Sequence, residues 1–232
     1  MKSVLLFENP EKVKNNLSGV YEAEIKVEDD TQFIIVPEIF YSEKNSEKAE
    51  EKAVEEKVDG EKPLEISAQF IFEKENVKAQ VLGIFNLQKS KSVKINTSSV
   101  HKASHTSCET FIKSVLRDNA SFDYRGEIHI EKNAQQTTAY LHDNSLTAGE
   151  NTKRNSQPIL EIEANDVKAS HGSTTGRIDE GQLYYLQSRG IEKAEAAQIL
   201  EEAFLSGLVE KIADAEIREK VINKLKFKKS SL

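Results

Sequence analysis

The sequence predicts an all-β core followed by an α-helical C-terminus. Three observations predict it. Short apolar or alternating runs recur from 64 to 178 with few Asn-Gly or Asp-Gly hairpin turns between them. No helical segments alternate with these strands, so a βαβ order is excluded. After Asp179 the apolar spacing changes from period 2 to the 3/4 spacing of a helix face.

The chain divides into an N-terminal β segment at 1–41, a charged loop at 42–63, the β core at 64–178 and a helical region at 179–232. In the first, Tyr21–Val27 alternates as a half-buried strand does, and Thr31–Pro37 is a continuous apolar run closed by proline. The stretch SEKNSEKAEEKAVEEKVDGEKP is nearly all Glu, Lys and Ala and has too little apolar area to offset its ordering entropy, so a solvated loop, partly helical, is expected. Core strands are expected around Ile66–Phe72, Val77–Val81, Val93–Ile95, Phe122–Tyr124, Glu127–Ile130 and Ile159–Glu163. A sandwich and a stack of parallel strands wound as a β-helix both fit, and no strict repeat decides between them.

In the last segment Asp179 caps a helix through Leu183-Tyr184-Tyr185-Leu186, and Gly190 ends it. A second helix opens near Glu192 with a stripe of Ala196, Ile199, Leu200, Ala203, Phe204, Leu208, Val209 and Ile212. A third begins at Asp214 with Ile217, Val221, Ile222 and Leu225 on one side.

The chain has 232 residues, 38% hydrophobic and 31% charged, with a net charge of -7. That balance gives no general attraction for nucleic acid or an anionic membrane, and the basic stretch Lys224–Lys229 is a solvated helix end. One cysteine, Cys108, rules out an intrachain disulfide or an all-cysteine metal site. The N-terminal apolar run is too short for a signal core, and no stretch reaches membrane-spanning length, so a cytoplasmic location with no membrane partner is expected. No Gly-rich Lys-Ser/Thr phosphate loop is present, so no nucleotide binding is expected.

Three polar clusters stand out: His101–Cys108, Tyr124–Glu127 and Lys168–Asp179. His101 and His105 are four apart, which on a strand separates them by roughly 13 Å, too far to chelate one ion. A structural role in ordering turns is expected for both. Gly126 is expected to allow a turn or close backbone approach, and Arg125 to satisfy carbonyls or pair with a carboxylate. Cys108 is assigned to packing.

The stretch SHGSTTGRIDEGQLYYLQSRGIEKAEAAQILEEAF resembles the C-terminal signature of the SufB/SufD family: a histidine-containing strand, a Gly/Thr turn, a tyrosine-rich helix and a helix closing in Ala-Phe. HKASHTSCETFIKSVLRDNASFDYRGEIHIEKNAQQTTAY and PILEIEANDVK resemble the family's core. The resemblance runs from about His101 to Phe204, and more weakly back to about Leu64. It implies a right-handed parallel β-helix with a short helical bundle, and a non-enzymatic scaffold for iron–sulfur cluster assembly. It further implies pairing with a SufB-like protomer, docking of the SufC ATPase on the C-terminal helices, and a transient cluster or iron at the protomer interface.

Gly172 after His171, in the Ser-His-Gly form, is SufD-like; SufB-like chains carry Glu there and a cysteine upstream that the 141–145 segment lacks. His171 therefore matches the histidine implicated in cluster formation, while Ala169 replaces a cysteine common two positions before it. Phe204, Leu205 and Leu208 are expected to anchor the ATPase. A second copy of the chain could take the SufB-like place; a β-helix enzyme acting on acidic polysaccharide is the alternative from another class, and no paired carboxylates support it. Against larger members of the family, the N-terminal region looks reduced to the first forty or so residues.

Overall fold

A computed structural model of the protein describes residues 2–5, 14–16, 20–36 and 63–225. Most of the predicted 42–63 loop and the basic stretch beyond Leu225 lie outside the described residues.

Among the described residues twelve strands precede three helices. The strands are β1 (Lys2–Leu5), β2 (Lys14–Asn16), β3 (Val20–Lys26), β4 (Thr31–Ile35), β5 (Leu64–Phe72), β6 (Lys78–Leu87), β7 (Ser92–His101), β8 (Ser107–Leu116), β9 (Ser121–Ile130), β10 (Thr137–Thr147), β11 (Lys153–Ile162) and β12 (Val167–Arg177). From β3 onward successive strands alternate between two sheets. The first sheet has the order β1-β4-β6-β8-β10-β12 and the second β11-β9-β7-β5-β3-β2. Every pairing is parallel except β2 with β3. This is a parallel β-helix of about 4 turns, not an antiparallel sandwich. The coils stack in register, so Ala68, Thr97, Gly126 and Pro158 form one column, and Gly83, Ile112, Asp143 and Ser173 another. Side-chain hydrogen bonds such as Asn96–Ser67, Thr174–Asn144 and Ser114–Ser145 accordingly link residues 29, 30 and 31 positions apart on neighbouring coils.

The corners carry a conformational signature. Asn76, Lys89, His105, Asp118 and Gln136 all have positive φ, between 56° and 61°. Each lies between two strands, where the left-handed conformation swings the chain from one sheet to the other. At neighbouring corners the amide of His105 donates to the Gln135 carbonyl (2.9 Å), and that of Asn119 to the Lys89 carbonyl (3.0 Å).

Two cores follow from this winding. Inside the coils, Phe70, Phe72, Phe85, Phe122 and Tyr124 are fully buried together with Ile66, Val81 and Ile95. Outside the first sheet, Ile34, Val36, Leu82, Ile84 and Val115 pack against Leu205, Leu208, Val209, Ile212, Val221 and Leu225. Strands β4 and β6 are thus covered on both faces, which is why they read as continuous apolar runs.

The helices are α1 (Glu180–Ser188), α2 (Lys193–Val209) and α3 (Ala215–Leu225). Asp179 Oδ1 accepts from the Gln182 amide at 2.7 Å, and Gly190 has φ 87° just beyond α1. Asp214 Oδ1 accepts from the amides of Glu216 and Ile217 at 2.9 and 3.0 Å. Polar clamps fix this region to the first sheet. Arg117 Nε donates to the buried Glu201 carboxylate at 2.6 Å. Gln32 donates to the Lys211 carbonyl and accepts from the Ala213 amide (2.7 and 2.9 Å), so the α2–α3 turn is held by β4.

Candidate functional site

The last coil, β11 and β12, forms the open end of the β-helix. Among the described residues β12 is the edge of the first sheet and β11 the edge of the second, so there each strand pairs on one side only. Such edges present unpaired backbone groups to any strand laid beside them. The inward side chains of this coil follow from register. Thr137, Ala139, Leu141, Asp143 and Ser145 are buried on β10; their partners on β12 are Val167, Ala169, His171, Ser173 and Thr175. Phe122, Tyr124, Gly126, Ile128 and Ile130 on β9 pair with Arg154, Ser156, Pro158, Leu160 and Ile162 on β11. With no coil above them among the described residues, these outermost side chains are half-buried or exposed, and Ile162 is 40% exposed.

This end has two halves. Pro158, Leu160, Ile162, Val167 and Ala169 make an apolar half. Arg154, Ser156 and Ser173 make a polar half, centred on Asp143 one coil below. Asp143 is fully buried, and its Oδ2 accepts from Arg154, Ser156 and Ser173. Its Oδ1 has no hydrogen-bond partner among the described residues. Ser145 accepts from Arg154 Nε and shares a 2.6 Å hydrogen bond with Ser114. The Arg154 guanidinium also lies over the Phe122 ring at 5.2 Å. In the sequence of inward positions along β12, His171 stands between Ala169 and Ser173, where the two halves meet, and it is exposed.

The other predicted residues lie elsewhere. His101 ends β7 and is fully buried; it stacks on Phe72 (centroids 4.3 Å apart), and its Nδ1 is 2.8 Å from Thr106 Oγ1. Burial pushes its pKa down to about 3. His105 is an exposed corner residue in the left-handed region, so the two histidines do not share a strand as the spacing estimate assumed. Cys108 is buried within the coil, where desolvation pushes its thiol up to about 12. Arg125 points outward beside Glu127, at 3.6 Å. Gly126 marks no turn: it lies within β9, where a Cβ would come within 2.3 Å of Leu141 Cδ1 and 2.4 Å of the Tyr124 hydroxyl. The Gly/Thr segment after His171 is likewise strand, running to Arg177.

Two of the three expected docking anchors need correction. Leu205 and Leu208 are each 1% exposed and pack into the core under α2, because the Arg117–Glu201 pair turns that face of the helix toward the sheet. Phe204 is half-buried, with Lys113 Nζ 4.6 Å above its ring. Among the described residues of the helices, the large apolar groups left outward are Tyr184, Tyr185 and Ile199, at 73%, 57% and 38% exposure. Asp143 and Arg154 were missed from the sequence; the signal was their polarity at inward positions of strands.

A family model described as SUF system FeS cluster assembly, SufBD core domain, matches residues 47–204, more than half of the chain. The chain belongs to the SufBD core family. Over 49% of its length it is 35% identical to the iron-sulfur cluster assembly protein SufD of Escherichia coli (strain K12), covering 27% of that protein. It is 33% identical over 49% of its length to SufD of Bacillus subtilis (strain 168), covering 26% of it. It is 38% identical over 46% of its length to the chloroplastic protein ABCI7 of Arabidopsis thaliana, covering 22%. The aligned stretch is thus about a quarter of each relative. Family membership supports a role in the Suf system. No helix among the described residues is long and apolar enough to cross a membrane.

Proposed function

We propose that this SufBD-family protein is a SufD-like, non-enzymatic scaffold of iron–sulfur cluster assembly. It pairs through its open β-helix end with a SufB-like protomer and carries a SufC-type ATPase on its C-terminal helices. The observation that carries this reading is the position of His171: an exposed imidazole in the inward column of the outermost described coil, between an apolar and a polar half, with strand edges on both sheets left unpaired among the described residues. A neutral imidazole is a suitable ligand for iron. The apolar half and the free edges favour burial against a second coil of the same kind, which would exclude water from the nascent cluster.

The protein's own share of ligands is small. Its one cysteine lies inside the coil as a protonated thiol, so sulfur ligands must come from the partner's thiolates or from delivered sulfide. Iron and sulfur are here cargo, and the chain's part is to hold one imidazole at the seam. The ATPase surface in this reading is the outward face of α1 with Ile199 of α2, where two exposed tyrosines offer large area at low entropic cost.

Co-expression of the protein with a SufC-type ATPase and a SufB-type chain, followed by affinity capture and mass determination, tests this reading. One copy of each β-helical chain with ATPase bound is expected. Capture of two copies of this chain without the SufB-type partner would assign it the homodimeric role; capture of neither partner would end the proposal.

A further inference from the structure

The outer face of the second sheet carries a second group of ligand-bearing side chains, unrelated to the seam. Glu127 and His129 lie two apart on β9 and project outward; Glu161 pairs in register with His129 from β11. Their ligand atoms all lie within 4.8 Å of one another. His129 Nε2 is shielded from solvent and has no hydrogen-bond partner among the described residues. Glu163 Oε1 adds a fourth ligand atom, from a third carboxylate, 3.5 Å from it. Arg125, 3.6 Å from Glu127, offsets one carboxylate and leaves two around the imidazole.

We propose that Glu127, His129 and Glu161 form a divalent transition-metal site on this face, completed by Glu163. One imidazole nitrogen with carboxylate oxygens suits zinc, ferrous iron or manganese and disfavours a soft monovalent ion. Metal–ligand bonds of about 2.0–2.2 Å need the ligand atoms drawn together by about 1 Å. Rotation of the exposed Glu161 and Glu163 side chains supplies that movement, while the strand backbones hold His129 and Glu127 still. A polar groove that includes Asp123, Arg125 and Gln157 in its lining reaches Glu127 and gives hydrated ions a path. The metal explains why an imidazole nitrogen is buried without a donor while acidic groups crowd it across a strand pair, where like charges otherwise repel.

This site is independent of His171, which faces inward from the other sheet, and the test separates them. The full-length protein, stripped with chelator, is titrated anaerobically with Co2+, read by its visible absorption, and then with Zn2+ in competition. One ion per chain is expected. His129→Ala and Glu161→Gln should each weaken binding at least about tenfold, with unchanged circular dichroism. His171→Ala should bind as the unmodified protein does. Should His129→Ala fail to fold, Glu161→Gln, altered at an exposed position, decides alone. Unaltered affinity in Glu161→Gln and in folded His129→Ala, no binding by the unmodified protein, or loss only in His171→Ala would overturn the assignment.

Discussion

Leu141 and His171 occupy the same inward column of the first sheet, one coil apart. Leu141 is 1% exposed because the last described coil covers it; His171 is exposed because no further coil among the described residues covers it. Removing the imidazole therefore strips no packed core. His171→Ala is expected to change unfolding free energy by less than about 0.5 kcal/mol, as exposed substitutions do. It should leave assembly with partners intact and lower the yield of cluster in anaerobic reconstitution. His171→Cys, which restores a soft ligand, should recover part of the yield. A yield unchanged in the Ala variant would remove His171 from the chemistry.

The Asp143–Arg154 pair lies directly under this end, and its loss should be structural. Asp143→Ala strands a guanidinium inside the coil and is expected to cost about 3–5 kcal/mol by urea denaturation. Changing both partners, Asp143→Leu with Arg154→Met, should restore most of that stability, because an apolar pair fills the same space without desolvating charge. If the double change is as unstable as the single one, the pair contributes more than mutual compensation.

The fold was legible where local chemistry is strong. Asp179, Gly190 and Asp214 mark helix boundaries by capping, and the double-sided burial of Phe33–Val36 shows as an unbroken apolar run. The winding was not legible. Its corners at Asn76, Lys89, His105, Asp118 and Gln136 share a backbone conformation without sharing a residue type, so no repeat appears in the letters. The face of α2 was misjudged for a related reason: Glu201 is buried and Ile199 exposed, an order that only the distant Arg117 explains. His171 came from resemblance alone. Asp143 and Arg154 broke the inward apolar alternation, and polar breaks in a strand are ordinarily assigned to its solvent face.

The corner conformations give a direct test of the winding. His105 has φ 57°, which Asn tolerates and a β-branched residue resists. His105→Asn should preserve the melting temperature, whereas His105→Val should lose about 1–2 kcal/mol. Equal stability of the two would mean that the corner relaxes without cost.

His101 makes stability depend on pH. The folded protein keeps it neutral down to about pH 3, while the unfolded chain protonates it near 6.5. Between those values the unfolded state binds one more proton, so its contribution falls as pH drops, by about 1.4 kcal/mol per unit. His101→Phe preserves the stack on Phe72 and removes this proton. From pH 6.5 to 5 the unmodified protein should lose about 1.6 kcal/mol more than the variant in paired urea titrations. Parallel losses would show that the imidazole protonates without unfolding.

Leu208 and Tyr184 separate the core role of the helices from their outward role. Leu208 is 1% exposed against Leu82, Ile84 and Val115 of the outer core cluster, whereas Tyr184 is 73% exposed on a helix with no buried residue. Leu208→Asp puts an unpaired charge into that layer and should unfold the C-terminal helices, with a loss of about 3 kcal/mol or more. Tyr184→Asp together with Tyr185→Asp should leave the melting curve unchanged and weaken capture of a SufC-type ATPase. The comparison is made on folded protein only, so lost capture in the tyrosine variant reads as lost contact and not lost structure. Capture retained at full strength would move the ATPase surface away from α1, leaving the flank around Ile199 and Ala203 of α2 as the remaining outward face of these helices.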